Sequence, residues 1–196
     1  MEQGLERIRA GIGLTGSFCT YDSVFAALEE IKRNHPGIDL TFVLSYHAQS
    51  ISCRFCAPED TLARIESLSP RPPVADIAAA EPLGPKNMLD LFVIAPCTGN
   101  TLAKLACGIT DGPVLMAAKG HLRNGKPLLL FLASNDALGL NLRNIGTLLT
   151  AKHIFFVPFG QDSPAAKPNS LVARPELLSA AMAAALREEQ LQPVIV

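Results

Sequence analysis

The feature that most constrains this chain is a set of apolar runs that do not alternate. "LTFVLS" (40–45), "LFVIAP" (91–96) and "PLLLFLAS" (127–134) are apolar at most positions. A strand with one wet face alternates polar and apolar residues, whereas a near-continuous run needs cover on both faces, as in a parallel sheet. "IGLTG" (12–16) and "HIFFVPF" (153–159) extend the series to five.

Helical patterns separate the runs. In "YDSVFAALEEIKRN" (21–34), Val24, Ala27, Leu28 and Ile31 recur at helical spacing, and "HPG" (35–37) stops the helix. "APEDTLARIESL" (57–68) opens with Pro58 and two acids, which suit a helix N-terminus. "GNTLAKLACG" (99–108) and "NDALGLNLRNIGTLLTA" (135–151) follow the third and fourth runs. "PELLSAAMAAALREEQ" (175–190) promises the most regular helix. This order predicts a three-layer Rossmann-like α/β fold, one domain over 1–196, with a parallel sheet and helices on both faces. Two proline-rich stretches, 70–85 and 160–175, read as long connections, either functional loops or surface excursions.

Bulk properties narrow the function classes. A length of 196 residues has room for one substantial core. A net charge of −1 gives no pull towards nucleic acid or an anionic membrane. The start "MEQGLERIR" lacks the apolar run of a signal peptide, and no stretch approaches the roughly 18 apolar residues of a membrane span. A soluble, cytoplasmic protein is expected. Its five cysteines (19, 53, 56, 97 and 107) are then expected as reduced thiols. The C-x-x-C of Cys53 and Cys56 reads as ordinary thiols, a redox pair or half a zinc site. With Cys97 and Cys107 too far apart for a second half, no metal is expected.

Gly11, Gly13 and Gly16 have the G-x-G-x-x-G spacing of a dinucleotide loop. Such a site needs an acid at the end of its second strand. Here Asp39 stands at the start of the second run and Ser45 at its end. The hydroxyl of Ser45 suits a terminal phosphate better than a ribose. Thr15 and Ser17 place hydroxyls beside Gly16 at a strand-to-helix turn, where free backbone N–H groups cradle a monophosphate. The alternative is that the glycines serve the turn alone. The third run ends in "APCTGNTLAKLACGITDGP" (95–113), with Pro96, Thr98, Asn100 and Thr101 at the sheet edge where α/β proteins bind ligands. These neutral hydroxyls and amides suit the rim of a heterocycle, although helix capping alone accounts for Thr98 or Asn100.

These stretches resemble the flavoprotein family of flavin-containing cysteine decarboxylases and flavin prenyltransferases. The match lies in "GLTGS", in "SYHA" at the end of the second run, and in AP-x-T-x-NT-x-x-K-x-A-x-G-x-x-D. Ala95, Pro96, Thr98, Asn100, Thr101, Lys104, Ala106, Gly108 and Asp111 all fit the last pattern. The resemblance spans about Gly11 to Phe159 and implies FMN, a flavodoxin-like sheet, and homo-oligomers (trimers or multiples) with flavin near an interface. It implies that Gly13, Thr15, Gly16 and Ser17 line the ribityl phosphate and that Ser45 binds the phosphate. Thr98, Asn100 and Thr101 would approach the ring or the phosphate. Two departures count against decarboxylation: His47 lies early for the family's acid/base histidine, and "PVLMAAK" (113–119) replaces its substrate-clamping loop.

"EPLGPK" (81–86), "DGPVLMAAKGHLRN" (111–124), "SNDALGLN" (134–141), "FFVPFGQD" (155–162), "KPNSLVA" (167–173) and "LQPVIV" (191–196) narrow the resemblance to one branch. Its members work with a second subunit that carries an NADPH-type dehydrogenase domain, so NADP enters only through that partner. Together the two oxidise a dihydrodipicolinate-level precursor to dipicolinate, the pyridine-2,6-dicarboxylate of the bacterial spore core. Lys86, Lys119, Arg123 and Lys167 fall in these segments and are the candidates for a small dicarboxylate substrate. Each reads equally as a solvated charge. His121 and the catalytic residues stay unassigned. The competing readings are an FMN-dependent decarboxylase and a non-catalytic scaffold for the dehydrogenase partner.

Overall fold

Strands form where the apolar runs predict them: β1 (Arg9–Leu14), β2 (Asp39–Leu44), β3 (Leu91–Cys97), β4 (Leu128–Ser134) and β5 (Ile154–Phe156). The computed structural model describes residues 4–196, so the first three residues of the charged start lie outside it. These five strands are parallel and lie in the order β2-β1-β3-β4-β5, the flavodoxin-like arrangement. All seven residues of β3 are buried, because helices cover both of its faces.

The helices are α1 (Tyr21–Asn34), α2 (Tyr46–Ser50), α3 (Pro58–Leu68), α4 (Ile77–Ala80), α5 (Gly99–Ala106), α6 (Pro113–Arg123), α7 (Leu142–Leu149) and α8 (Leu178–Leu186). One group packs α1 with α3 and α8, and a second packs α5 with α6 and α7. The buried apolar side chains join in one core cluster, with Phe25 stacked on Phe42 between α1 and β2.

Four points refine these expectations. The sheet is mixed rather than wholly parallel. β6 (Phe159–Gly160) and β7 (Leu171–Ala173) pair antiparallel, and β7 also runs antiparallel to Ala133 and Ser134 of β4. Short β5 pairs only with Leu128–Leu130, so the far end of β4 has an open edge for β7 to fill. The proline-rich 160–175 segment is therefore partly sheet. Second, "PVLMAAK", which stands in place of the family's substrate-clamping loop, forms the start of α6. Pro113 occupies its first turn, and Val114, Leu115, Ala117, Ala118 and His121 form its buried face.

Third, α7 starts only at Leu142. Before it, Asn141 donates to Asp136 (2.7 Å) within a turn, so local side-chain bonds displace the helix. Fourth, the last helix is not the most regular: α8 has nine residues and follows a 3-10 turn at Pro175–Leu177, whereas α1 has fourteen.

A hydroxyl-lined cleft as candidate functional site

Parallel strands bring every βα turn to one edge of the sheet, and there the structure opens a cleft of about 480 Å³. Thr15 and Gly16 after β1, Ser45 to His47 after β2, and Thr98, Asn100, Thr101 and Lys104 after β3 form one side. Asp111 to Leu115 at the start of α6 form the other. Asp39 lies at the opposite end of β2, paired with Arg71, so no acid closes β2 as a dinucleotide site requires.

The hydroxyls are not equivalent. Thr15 Oγ1 is buried; it donates to the Pro96 carbonyl (2.6 Å) and accepts from the Thr98 amide (3.1 Å). Its only proton is thus spent on joining β1 to β3, and Thr15 shapes the cleft rather than donating into it. Ser45 Oγ accepts from the Ala48 amide (3.3 Å) as the N-cap of α2 and keeps its own proton for a ligand. Thr98 Oγ1 accepts from the Thr101 amide (3.1 Å), capping α5, and donates to Thr101 Oγ1 (2.9 Å). The proton of Thr101 then remains available.

Two longer helices begin at this edge. α5 starts at Thr98, and α6 starts at Gly112 with no side-chain cap on its first turn. The amides of Val114 and Leu115 accordingly face the cleft end of α6 without a capping side chain. Helix N-termini with free N–H groups attract an anion. Lys104 and Asp111 form an ion pair (2.6 Å) in the lining, and the ammonium holds the carboxyl below its ordinary range. The pair leaves Lys104 further donors for a ligand.

Gly13 does not line the cleft. A Cβ there would come within 2.9 Å of Val114 and 3.2 Å of Phe92, so this glycine lets α6 lie close on the sheet. Gly11 also serves packing, but against the neighbouring strand: a Cβ there would meet the Phe92 ring at 2.5 Å and Leu89 at 2.6 Å. Two of the three fingerprint glycines therefore serve packing, and Gly16 is the one that lines the cleft.

Ser17 lines a neighbouring cleft of about 310 Å³, which shares Gly16 and Thr98 with the first and also holds Ser134, Asn135, Asp162 and Lys167. Lys167 pairs with Asp162 at 3.2 Å. The other cationic candidates stand apart. Lys86 lines a separate groove with Arg9 and Arg71. Lys119 and Arg123 are exposed on α6, beyond the first-turn residues that meet the cleft. Sequence reasoning left out Tyr46, Lys104 and Asp111 as site residues and set His47 aside, yet all four line the cleft. Lys104 and Asp111 were visible as the spaced K and D of the AP-x-T pattern.

Elsewhere, burial pushes the Cys97 thiol up to about 12 and the His121 imidazole down to about 4. Neither is suited to proton transfer or attack near neutral pH. Among the described residues, no group of three His, Cys, Asp or Glu could hold a metal ion, and no helix is long and apolar enough to cross a membrane.

Known proteins match this architecture closely. The family model described as Flavoprotein matches residues 1–184. The B subunit of dipicolinate synthase from Bacillus subtilis (strain 168) is 47% identical over 188 residues, covering 96% of this chain and 93% of that protein. The crystal structure of the corresponding B subunit from Bacillus halodurans C superposes with a TM-score of 0.89 at 44% identity, over 99% of this chain and 98% of that one. The FMN-dependent cysteine decarboxylase SpaF shares the fold at 21% identity, with a TM-score of 0.65 over 94% of this chain and 99% of that one. A fold, a cleft edge and a sequence match that agree over nearly the whole length place this chain in the flavoprotein family.

Proposed function

We propose that the chain acts as the B subunit of a dipicolinate synthase, binding FMN and a small dicarboxylate beside a dehydrogenase partner, the A subunit of dipicolinate synthase. The observation that carries this reading is the meeting of Ser45, Thr98, Asn100, Thr101 and Lys104 with the starts of α5 and α6 in one cleft. That donor set fits a ribityl phosphate: hydroxyl protons, helix amides and an ammonium, with the one carboxylate neutralised by Lys104. Tyr46, Pro113, Val114 and Leu115 offer apolar surface for a flat ring. Gly16 and Ser45 would hold the phosphate, while Thr98, Asn100 and Thr101 would meet the ring or its chain. Bound FMN supplies a two-electron redox centre or a rigid platform for the substrate.

Aromatising a dihydropyridine removes a hydride and a proton, so an acceptor is required. The end of β2 carries Ser45 instead of a ribose-binding acid, and NADP accordingly belongs to the partner. This chain's share is to hold the substrate. Lys167, in the neighbouring cleft, keeps donors beyond its bond to Asp162 for a carboxylate. The working protein is a homo-oligomer, a trimer or a multiple of one, in the mother cell of a sporulating bacterium.

The test is co-purification with the dehydrogenase partner, followed by an assay for dipicolinate with and without FMN. The expected result is no product from this chain alone, product from the pair, and less product after Asn100→Ala. A Ser45→Asp variant should lose flavin affinity by charge repulsion, read by flavin fluorescence. Robust dipicolinate formation by this chain alone with NADP, or by the partner alone, sinks the proposal. The position of His47 in the cleft favours a second reading, FMN-dependent decarboxylation. It predicts carbon dioxide release from a cysteine conjugate.

A further inference from the structure

The C-x-x-C of Cys53 and Cys56 lies outside both clefts, in the segment between α2 and α3, and the proposed function does not use it. The Cys53 amide donates to the Cys56 carbonyl (3.0 Å), closing a tight turn that carries both half-buried, free thiols. The intervening Arg54 and Phe55 are exposed, with the guanidinium over the ring at 4.7 Å.

We propose that Cys53 and Cys56 form a thiol–disulfide exchange site whose substrates are small disulfides such as glutathione disulfide. The two sulfurs have different surroundings and so different roles. Backbone amide hydrogen bonds, which favour a thiolate, lower the pKa of Cys53. Burial raises the pKa of Cys56. Cys53 is therefore the attacking sulfur and Cys56 the resolving one.

In the first step the Cys53 thiolate attacks one sulfur of the small disulfide. That S–S bond breaks, a mixed disulfide forms on Cys53, and one small thiolate leaves and takes up the proton lost from Cys53. In the second step the Cys56 sulfur attacks Cys53, its proton passing to the second departing thiolate. The balance is two protein thiols and one small disulfide converted to one protein disulfide and two small thiols. The protein loses two electrons and the small disulfide gains them.

The experiment treats the full chain with glutathione disulfide at neutral pH, quenches it with acid, and maps the unreduced peptides by mass spectrometry. Exposed Cys19 and Cys107 serve as internal controls. A Cys53–Cys56 bond should form about tenfold faster than glutathione adds to either control thiol. Cys56→Ser should trap glutathione on Cys53, and Cys53→Ser should leave Cys56 slow, with circular dichroism confirming that both variants fold. The proposal is overturned if wild-type protein carries separate glutathione adducts and no Cys53–Cys56 bond. It is equally overturned if the bond forms no faster than the adducts at Cys19 and Cys107.

Discussion

At Gly13, one missing methyl group sets how closely α6 lies on the sheet. A Cβ would press on the stiff, branched Val114 at 2.9 Å. Gly13→Val should therefore destabilise the fold by about 1–3 kcal/mol, the usual cost of overpacking a dense core. Urea denaturation reads this directly, and an unchanged midpoint and slope would refute the packing role. His121, on the same helix, makes a second residue-scale prediction. It is buried, its Nε2 lies 2.9 Å from the Pro127 carbonyl, and burial holds its pKa down at about 4. An unfolded imidazole titrates at about 6.5, so between these values the unfolded chain binds a proton that the folded chain does not. Stability from this group is full above about 6.5 and falls, by on the order of 3 kcal/mol, as pH drops towards 4. His121→Gln should flatten that part of the pH–stability curve; an equally steep variant would assign the slope to other groups.

Helix starts decide what the cleft offers. Thr98 caps α5 through the Thr101 amide, and its own proton orders the Thr101 hydroxyl. Thr98→Ala should cost about 1 kcal/mol of stability through the lost cap, while Thr98→Ser should keep most of it. Chemical denaturation of the three proteins checks the order, and an Ala variant as stable as wild type would show that the cap contributes little. The Ser variant separates hydroxyl from shape: if flavin is bound here, affinity should follow the hydroxyl. α6 contributes differently. Its uncapped first turn leaves amides at the cleft, while its buried face ties it to the core. Side-chain changes at the cleft end of α6 therefore leave its backbone donors in place.

For the whole molecule, the segment before α7 is the least explained surface. Leu138 and Leu140 are exposed there, Leu140 by 82%, and so is Leu142 at the start of α7. Isolated apolar side chains are common on surfaces, but three so close in sequence suit burial against another copy. Light scattering should give a trimer or a multiple of one, and Leu140→Glu should lower that mass while circular dichroism stays unchanged. A monomeric wild-type protein at micromolar concentration would end the oligomer proposal.

Much of this architecture was legible along the chain because burial on both faces leaves a continuous apolar run. That signal is local, and it located β1 to β5 and the ends of α1 and α3. The motif after β3 likewise marked Thr98, Asn100 and Thr101, which line the cleft, because capping and turn residues act on their near neighbours. Other features depend on partners distant in sequence. Strands β6 and β7 are too short to carry a period and form only because the end of β4 lacks a neighbour. Thr15 looked like a phosphate ligand, yet its hydroxyl proton goes to Pro96, 81 residues away. Gly11 and Gly13 matched a nucleotide fingerprint, but the side chains facing them are those of Phe92 and Val114. Hydrophobic period and capping chemistry are written in neighbouring residues. Which hydroxyl remains free, and which glycine faces a helix instead of a ligand, is decided only when distant segments pack.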